Sequence, residues 1–227
     1  MSEWRCFPSA RELDEALARQ VADRLEEDIA ARGAASLAVS GGGTPRNMFR
    51  HLSRCDMDWS RVWITLVDER WVDPLDPDSN ERLVRDNLLQ NRASAARFVG
   101  LKSRDSDPGQ GLAAVSRRLA EVPRPFTRVI LGMGADGHTA SWFPQAGNLQ
   151  ELLDPGGDPG LGATDPATAP YLRITLNLPA VLQSRGIIIH VTGEEKRSVL
   201  ETAVESGVPV AAILEQDTTP VTIWWAP

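Results

Sequence analysis

Residues 127–144 read TRVILGMGADGHTASWFP. The first five, Thr127–Leu131, read as a short strand, and their apolar branched end Val129-Ile130-Leu131 has the pattern of a strand buried on both faces. The run stops at Gly132. Three glycines, Gly132, Gly134 and Gly137, are then set among Asp136 and His138. Glycine tolerates positive φ and close backbone approach, so the chain is expected to leave the strand in a tight polar loop. Pro144 limits any helix that starts here. A polar loop at the carboxyl end of a buried strand is where open α/β sheets bind their ligands.

The pattern recurs upstream. Ser36–Val39 reads as a buried strand, followed by Ser40-Gly41-Gly42-Gly43-Thr44, with Pro45 suited to the first position of a helix through His51. Val62–Val67 is a further strand and ends in Asp68-Glu69-Arg70; Ser79 is placed to cap a helix over 80–89. Leu13, Leu17, Val21, Leu25 and Ile29 make an i, i+4 ladder, so 9–32 reads as an amphipathic helix. Ser9 and Glu12 offer a capping box, and Gly33 a stop.

Downstream, residues 112–122 and 194–205 read as helices, and 171–176 and 187–191 as strands. The segments 210–213 and 221–225 read as final strands or extended pieces. Residues 145–170 are rich in Gly, Pro and Asp; they predict a long exposed loop with a short helix near 149–153. The alternation predicts a mainly parallel sheet covered on both faces, within a single domain over 1–227.

Composition narrows the function. The net charge of −7 argues against non-specific nucleic-acid binding but leaves room for a local anion site. No run of about 18 apolar residues offers a membrane span. The charged N-terminal residues do not read as a secretory signal, so a cytoplasmic protein is expected. Cys6 and Cys55 lack metal-knuckle spacing and read as reduced thiols.

Three polar clusters follow strands: Ser40–Thr44, Asp68–Arg70 and Gly132–His138. The first reads either as a tight turn or as a phosphate cradle of backbone N–H groups at a helix start. It is not a Walker loop, because Gly-Lys-Ser/Thr is missing. Gly132-x-Gly134-x-x-Gly137 matches the dinucleotide fingerprint, but no acidic residue ends a second strand about 20 residues on. His138, in its loop, suits a general base, and Asp136 is placed to orient the ring. His51, on a helix, and His190, inside a strand, read as structural. Asp68-Glu69-Arg70 reads either as a solvated loop or as a site for Arg70, a planar donor. Arg173 and Lys196 read either as surface charges or as anion contacts.

Six stretches together carry a resemblance: SGGGTP at 40–45, VDERWV at 67–72, SN at 79–80, ILGMGADGHTASWFP at 130–144, RITLNLPAV at 173–181 and TGEEKR at 192–197. In this order, over nearly the whole chain, they resemble the 6-phosphogluconolactonase family. The resemblance implies a three-layer α/β/α fold with a mainly parallel, Rossmann-like sheet of the deaminase/lactonase type. It implies hydrolysis of 6-phospho-D-glucono-1,5-lactone to 6-phospho-D-gluconate in the oxidative pentose phosphate pathway, with no metal and no cofactor, by an expected monomer.

The resemblance also assigns roles. His138 is the base that deprotonates water, supported by Asp136. Arg173, Lys196 and the amides of Gly42, Gly43 and Thr44 hold the 6-phosphate. Asp68 and Arg70 orient the reacting carbonyl. Asn80 matches the family's SN pair without an assigned role. The related glucosamine-6-phosphate deaminases, the alternative reading, carry a tyrosine where Arg70 stands and a glutamate where Phe143 stands. A nicotinamide-dependent oxidoreductase and a non-catalytic sugar-phosphate sensor are the remaining readings.

Overall fold

The computed structural model describes residues 2–227. In chain order the elements are β1 (Glu3–Cys6), α1 (Ala10–Arg32), β2 (Ala35–Val39), α2 (Arg46–Leu52), β3 (Val62–Leu66), β4 (Asp68–Arg70), α3 (Asn80–Asn87), β5 (Arg97–Val99), α4 (Pro108–Leu119) and β6 (Arg128–Leu131). There follow α5 (Leu149–Leu153), β7 (Leu161–Thr164), β8 (Arg173–Leu176), α6 (Leu178–Leu182), β9 (Ile187–Thr192), α7 (Glu194–Glu201), α8 (Ala203–Ser206), α9 (Ala211–Glu215) and β10 (Val221–Ala226).

Seven strands form one sheet in the order β1-β10-β9-β6-β2-β3-β5, with every neighbouring pair parallel. Helices flank it, giving a three-layer α/β/α architecture. The largely apolar sequences of the central strands follow from this: a parallel strand covered on both faces has no solvent side to make polar. All five residues of β2 are buried, as are five of the six in β9. The apolar stripe of α1 packs Leu13, Leu17, Val21 and Leu25 into the core. Its N-terminus is capped by Ser9, whose hydroxyl accepts from the Glu12 N–H at 3.3 Å and donates to the Glu12 carboxylate at 3.0 Å. Gly33 closes the helix at φ 82°.

The chain lays β2, β3 and β5 outward, then returns to place β6 on the other side of β2. The switch point therefore lies between β2 and β6. Their carboxyl ends are stitched together by Ser40 N–H to the Ile130 carbonyl at 3.0 Å and Gly132 N–H to the Ser40 hydroxyl at 3.1 Å. A second sheet, β4-β8-β7, is antiparallel and covers this end. It begins one residue after β3, and the Leu176 N–H donates to the Val67 carbonyl at 2.8 Å.

Several elements differ from their sequence reading. Of the two readings left open for Asp68-Glu69-Arg70, the solvated loop fails: the segment is a strand with Asp68 and Glu69 buried. The segment 145–170 contains α5 as expected, but also β7. Residues 210–213 are not extended: α9 starts at Ala211, with Val210 leading in at helical angles. Four apolar residues cannot be assigned by period, and here two alanines beyond Pro209 favour the helix. The helix expected over 194–205 is split at Thr202 into α7 and α8.

Candidate active site

The three polar clusters meet over the switch point. With residues from β8 and α7 they line one cavity of about 380 Å³ that holds Ser40–Thr44, Asp68, Arg70, Asn80, His138, Arg173 and Lys196. Asp136 is not on the wall; it stands behind His138.

The loop after β6 aims the histidine. Gly137 takes φ 77°, and its turn returns the chain so that Gly134 N–H donates to the His138 carbonyl at 2.9 Å. The Asp136 carboxylate lies 2.5 Å from His138 Nδ1 and accepts the His138 N–H at 3.2 Å. With Nδ1 engaged, Nε2 is the nitrogen left for other partners. The imidazole stacks on Phe143, centroids 4.4 Å apart at 28°. A Cβ at Gly134 would stand 2.3 Å from the imidazole, so only glycine leaves the ring its place.

Phe143 also carries the Arg173 guanidinium, 5.7 Å above its ring. Arg173 is 5% exposed, and one of its terminal nitrogens donates to the Pro170 carbonyl at 2.9 Å while Nε has no partner. Burial pulls its pKa below the usual arginine value, with Asp68 pulling the other way. Arg70 pairs directly with Arg173 across the β4–β8 ladder. Like charges placed opposite each other oppose sheet formation. Arg70 is steadied by the Asp78 carbonyl, and its Nε has no partner.

The carboxylate of Asp68 accepts the Ser141 hydroxyl at 2.6 Å. Asn80 donates to the Asp68 carbonyl at 2.9 Å and lies so close to Gly41 that a Cβ there would meet its Oδ1 at 1.8 Å. Asn80 thus braces β4 against the glycine loop. In that loop Gly42 takes φ 90°, and the amides of Gly42, Gly43 and Thr44 donate to no acceptor among the described residues. Lys196 lies in the first turn of α7 on the cavity wall, with no ion pair among the described residues.

Between Asp68 and Arg70, Glu69 points away from the cavity. Its two oxygens accept the N–H groups of Arg70 (2.8 Å), Asn80 (2.8 Å) and Glu81 (2.7 Å) and the Ser79 hydroxyl (3.0 Å). It is a buried carboxylate at the N-terminus of α3. Burial pushes its pKa up to about 7, against the pull of those N–H groups.

The sequence reading did not single out Glu69, Ser141, Asp78 or Tyr171. The Tyr171 hydroxyl donates to the Asp78 carboxylate at 2.9 Å across the cavity rim, from a backbone at φ 70°. No spacing rule connects residues 78 and 171; they lie beyond the end of β4 and before the start of β8, and only the tertiary fold brings them together. No group of acidic, histidine or cysteine side chains suited to a metal occurs among the described residues. Cys6 and Cys55 are both free thiols.

Comparison with known proteins gives a consistent result. A family model described as glucosamine-6-phosphate isomerases/6-phosphogluconolactonase matches residues 8–224. A 6-phosphogluconolactonase of Mesorhizobium japonicum is 46% identical over 226 residues, 99% of this chain and 95% of that protein. The crystal structure of a 6-phosphogluconolactonase from Shewanella baltica superimposes with a TM-score of 0.95 at 46% identity, covering 100% of this chain and 98% of the other. A monomeric glucosamine-6-phosphate deaminase, 18% identical, shares the fold at a TM-score of 0.76 over 99% of this chain and 97% of its own.

Proposed function

The chain belongs to the family of glucosamine-6-phosphate isomerases and 6-phosphogluconolactonases, and on that premise we propose that it hydrolyses 6-phospho-D-glucono-1,5-lactone through a water deprotonated by His138. It is an enzyme of the carboxylic-ester hydrolase class, a lactonase. The observation that supports the proposed chemistry is one of placement. An imidazole with a carboxylate on Nδ1 shares a cavity with two arginines, a lysine and a row of unengaged amides.

In this reading Arg173, Lys196 and the amides of Gly42–Thr44 hold the 6-phosphate, because guanidinium, ammonium and backbone N–H groups all suit that dianion. The phosphate then supplies binding energy remote from the reacting carbon. His138 Nε2 takes a proton from water, and the hydroxide oxygen bonds to C1. The carbonyl electron pair moves to oxygen, where Arg70 or a loop N–H stabilises it. The pair returns, the C1–ring oxygen bond breaks, and the imidazolium gives its proton to the departing ring oxygen. Asp68, fixed by Ser141 and Asn80, orients the sugar. A lactone needs no covalent nucleophile, and one positioned base contributes about 10²–10⁴-fold.

The same reading treats residues 1–227 as one domain working in the cytoplasm as a monomer on a small substrate. No helix among the described residues is long and apolar enough to cross a membrane. Phe143 weighs against the sister chemistry: a phenyl ring under the imidazole can neither accept nor relay a proton. The decisive experiment follows acid release from freshly prepared 6-phosphogluconolactone against the spontaneous rate. Turnover well above background is expected; none would overturn the proposal.

A further inference from the structure

His190 has no part in the chemistry above, yet it lies on the wall of the same cavity. It is the fourth residue of β9, 2% exposed. One residue earlier, Ile189 makes the last β6–β9 pair with Leu131; β6 then turns away at Gly132, which has no side chain to cover the imidazole. On the other flank it pairs with Trp224 of β10. Asp14 of α1, 4% exposed, stands behind it, with Oδ1 3.2 Å from Nε2. The contact is misaligned for a hydrogen bond. Asp14 Oδ1 and both His190 nitrogens are consequently buried without a partner. Three unpaired polar atoms in one place are costly in a folded interior. A ligand bound in the cavity would complete this cluster.

We propose that His190 is a further substrate-contacting residue, held from behind by Asp14 and hydrogen-bonded to a hydroxyl of the bound sugar acid. The proposal rests on the reading of this cavity as a sugar-phosphate site. The chemistry of the ring selects the partner. Nε2 is turned toward Asp14 Oδ1, which leaves Nδ1 as the nitrogen for a ligand in the cavity. A sugar hydroxyl both donates and accepts, so it pairs with Nδ1 in either tautomer, whereas the oxygens of a phosphate dianion only accept. A hydroxyl of the sugar is therefore the partner. A buried ring nitrogen that expects a hydroxyl also discriminates against analogues that lack it.

The test uses His190→Phe, His190→Gln and the double variant Asp14→Leu/His190→Phe, which leaves no buried carboxylate alone. For His190→Phe and the double variant, KM should rise about tenfold or more, with kcat changed much less. The loss should be similar for unphosphorylated gluconolactone, because the contact is to the sugar, whereas phosphate-anchor variants spare that substrate. His190→Gln, which can still accept a hydrogen bond, should recover part of the loss. Calorimetric binding of 6-phosphogluconate should weaken in parallel, and the double variant's melting temperature should stay at or above that of the wild type. In the unaltered enzyme, the His190 ring 15N signals should move on titration with 6-phosphogluconate.

Affinity within twofold of wild type in the double variant would show a purely structural pair and sink the proposal. If that variant does not fold, unmoved 15N signals do the same. Wild-type protein that binds 6-phosphogluconate but hydrolyses no lactone removes the functional reading instead, and the binding arms still decide the role of His190.

Discussion

At the scale of single residues, His138 carries the sharpest expectation. His138→Ala should keep the fold and lose about 100-fold or more of the lactonase rate, measured as acid release above the spontaneous reaction. A loss below tenfold would place the base elsewhere. Gly134→Ala is the subtler variant. Its methyl would occupy the imidazole's space, 2.3 Å from ring atoms, without touching the cavity's cations. It should depress kcat while leaving KM for the phosphorylated lactone near wild type; the reverse pattern would show that the loop serves binding. Arg173→Ala and Lys196→Ala should each raise that KM about tenfold or more, since a hydrogen bond to a charged group contributes roughly 1.5–3 kcal/mol. Unphosphorylated gluconolactone is the control. If both variants lose the two activities equally, the anchor assignment fails. The sequence placed His138 and Asp136 in a loop after a strand, whereas Arg173 and Lys196 read equally as surface charges and gained a role only through the family resemblance; the structure puts His138, Arg173 and Lys196 on one cavity wall. Phe143 was legible only as a departure from the sister family. Its contact with both the imidazole and Arg173 depends on how the loop folds back.

At the scale of elements, the join between β4 and α3 governs the site. Glu69 receives the backbone N–H groups of Arg70, Asn80 and Glu81, so the end of β4 and the start of α3 are tied to one carboxylate. Its pKa of about 7 lies above the ordinary value of 4.5 because burial penalises the charge. The native state therefore binds this proton more tightly than the unfolded chain does. The stabilisation is fully present below pH 4.5, declines as pH rises, and is lost above about 7, an effect of up to about 3 kcal/mol. Glu69→Gln cannot titrate there. The difference in urea stability between wild type and Glu69→Gln should thus shrink from pH 5 to pH 7.5. A gap that widens would mean that the N–H groups, not burial, dominate. None of this could be read from sequence, where Asp-Glu-Arg after a strand leaves a solvated loop and a site for Arg70 equally open. The same limit hid β1, β5 and β7. They are three or four residues long and contain exposed or glycine positions, too short to show a period. The long buried strands and α1 were plain because burial on both faces, or on one stripe, imprints a pattern over many residues.

At the scale of the whole molecule, architecture alone does not choose the reaction, since a deaminase shares it at a TM-score of 0.76. The choice rests on a few side chains at the switch point, so no ammonia should be released from glucosamine 6-phosphate. Measurable deamination would contradict the roles given to Phe143 and Arg70. The strand order has a further consequence, in time rather than in space. β1 has one neighbour, β10, so residues 3–6 pair only with residues 222–225. During synthesis β1 is made long before β10, and it stays an open edge until its partner residues have left the ribosome. Closing so long a loop is entropically slow but adds little to the equilibrium cost. A stalled nascent chain ending before residue 220 should therefore be cut by protease near residues 3–6, while β2, β3 and β6 already resist; protection of that segment in the stalled chain would show that it shelters elsewhere while it waits.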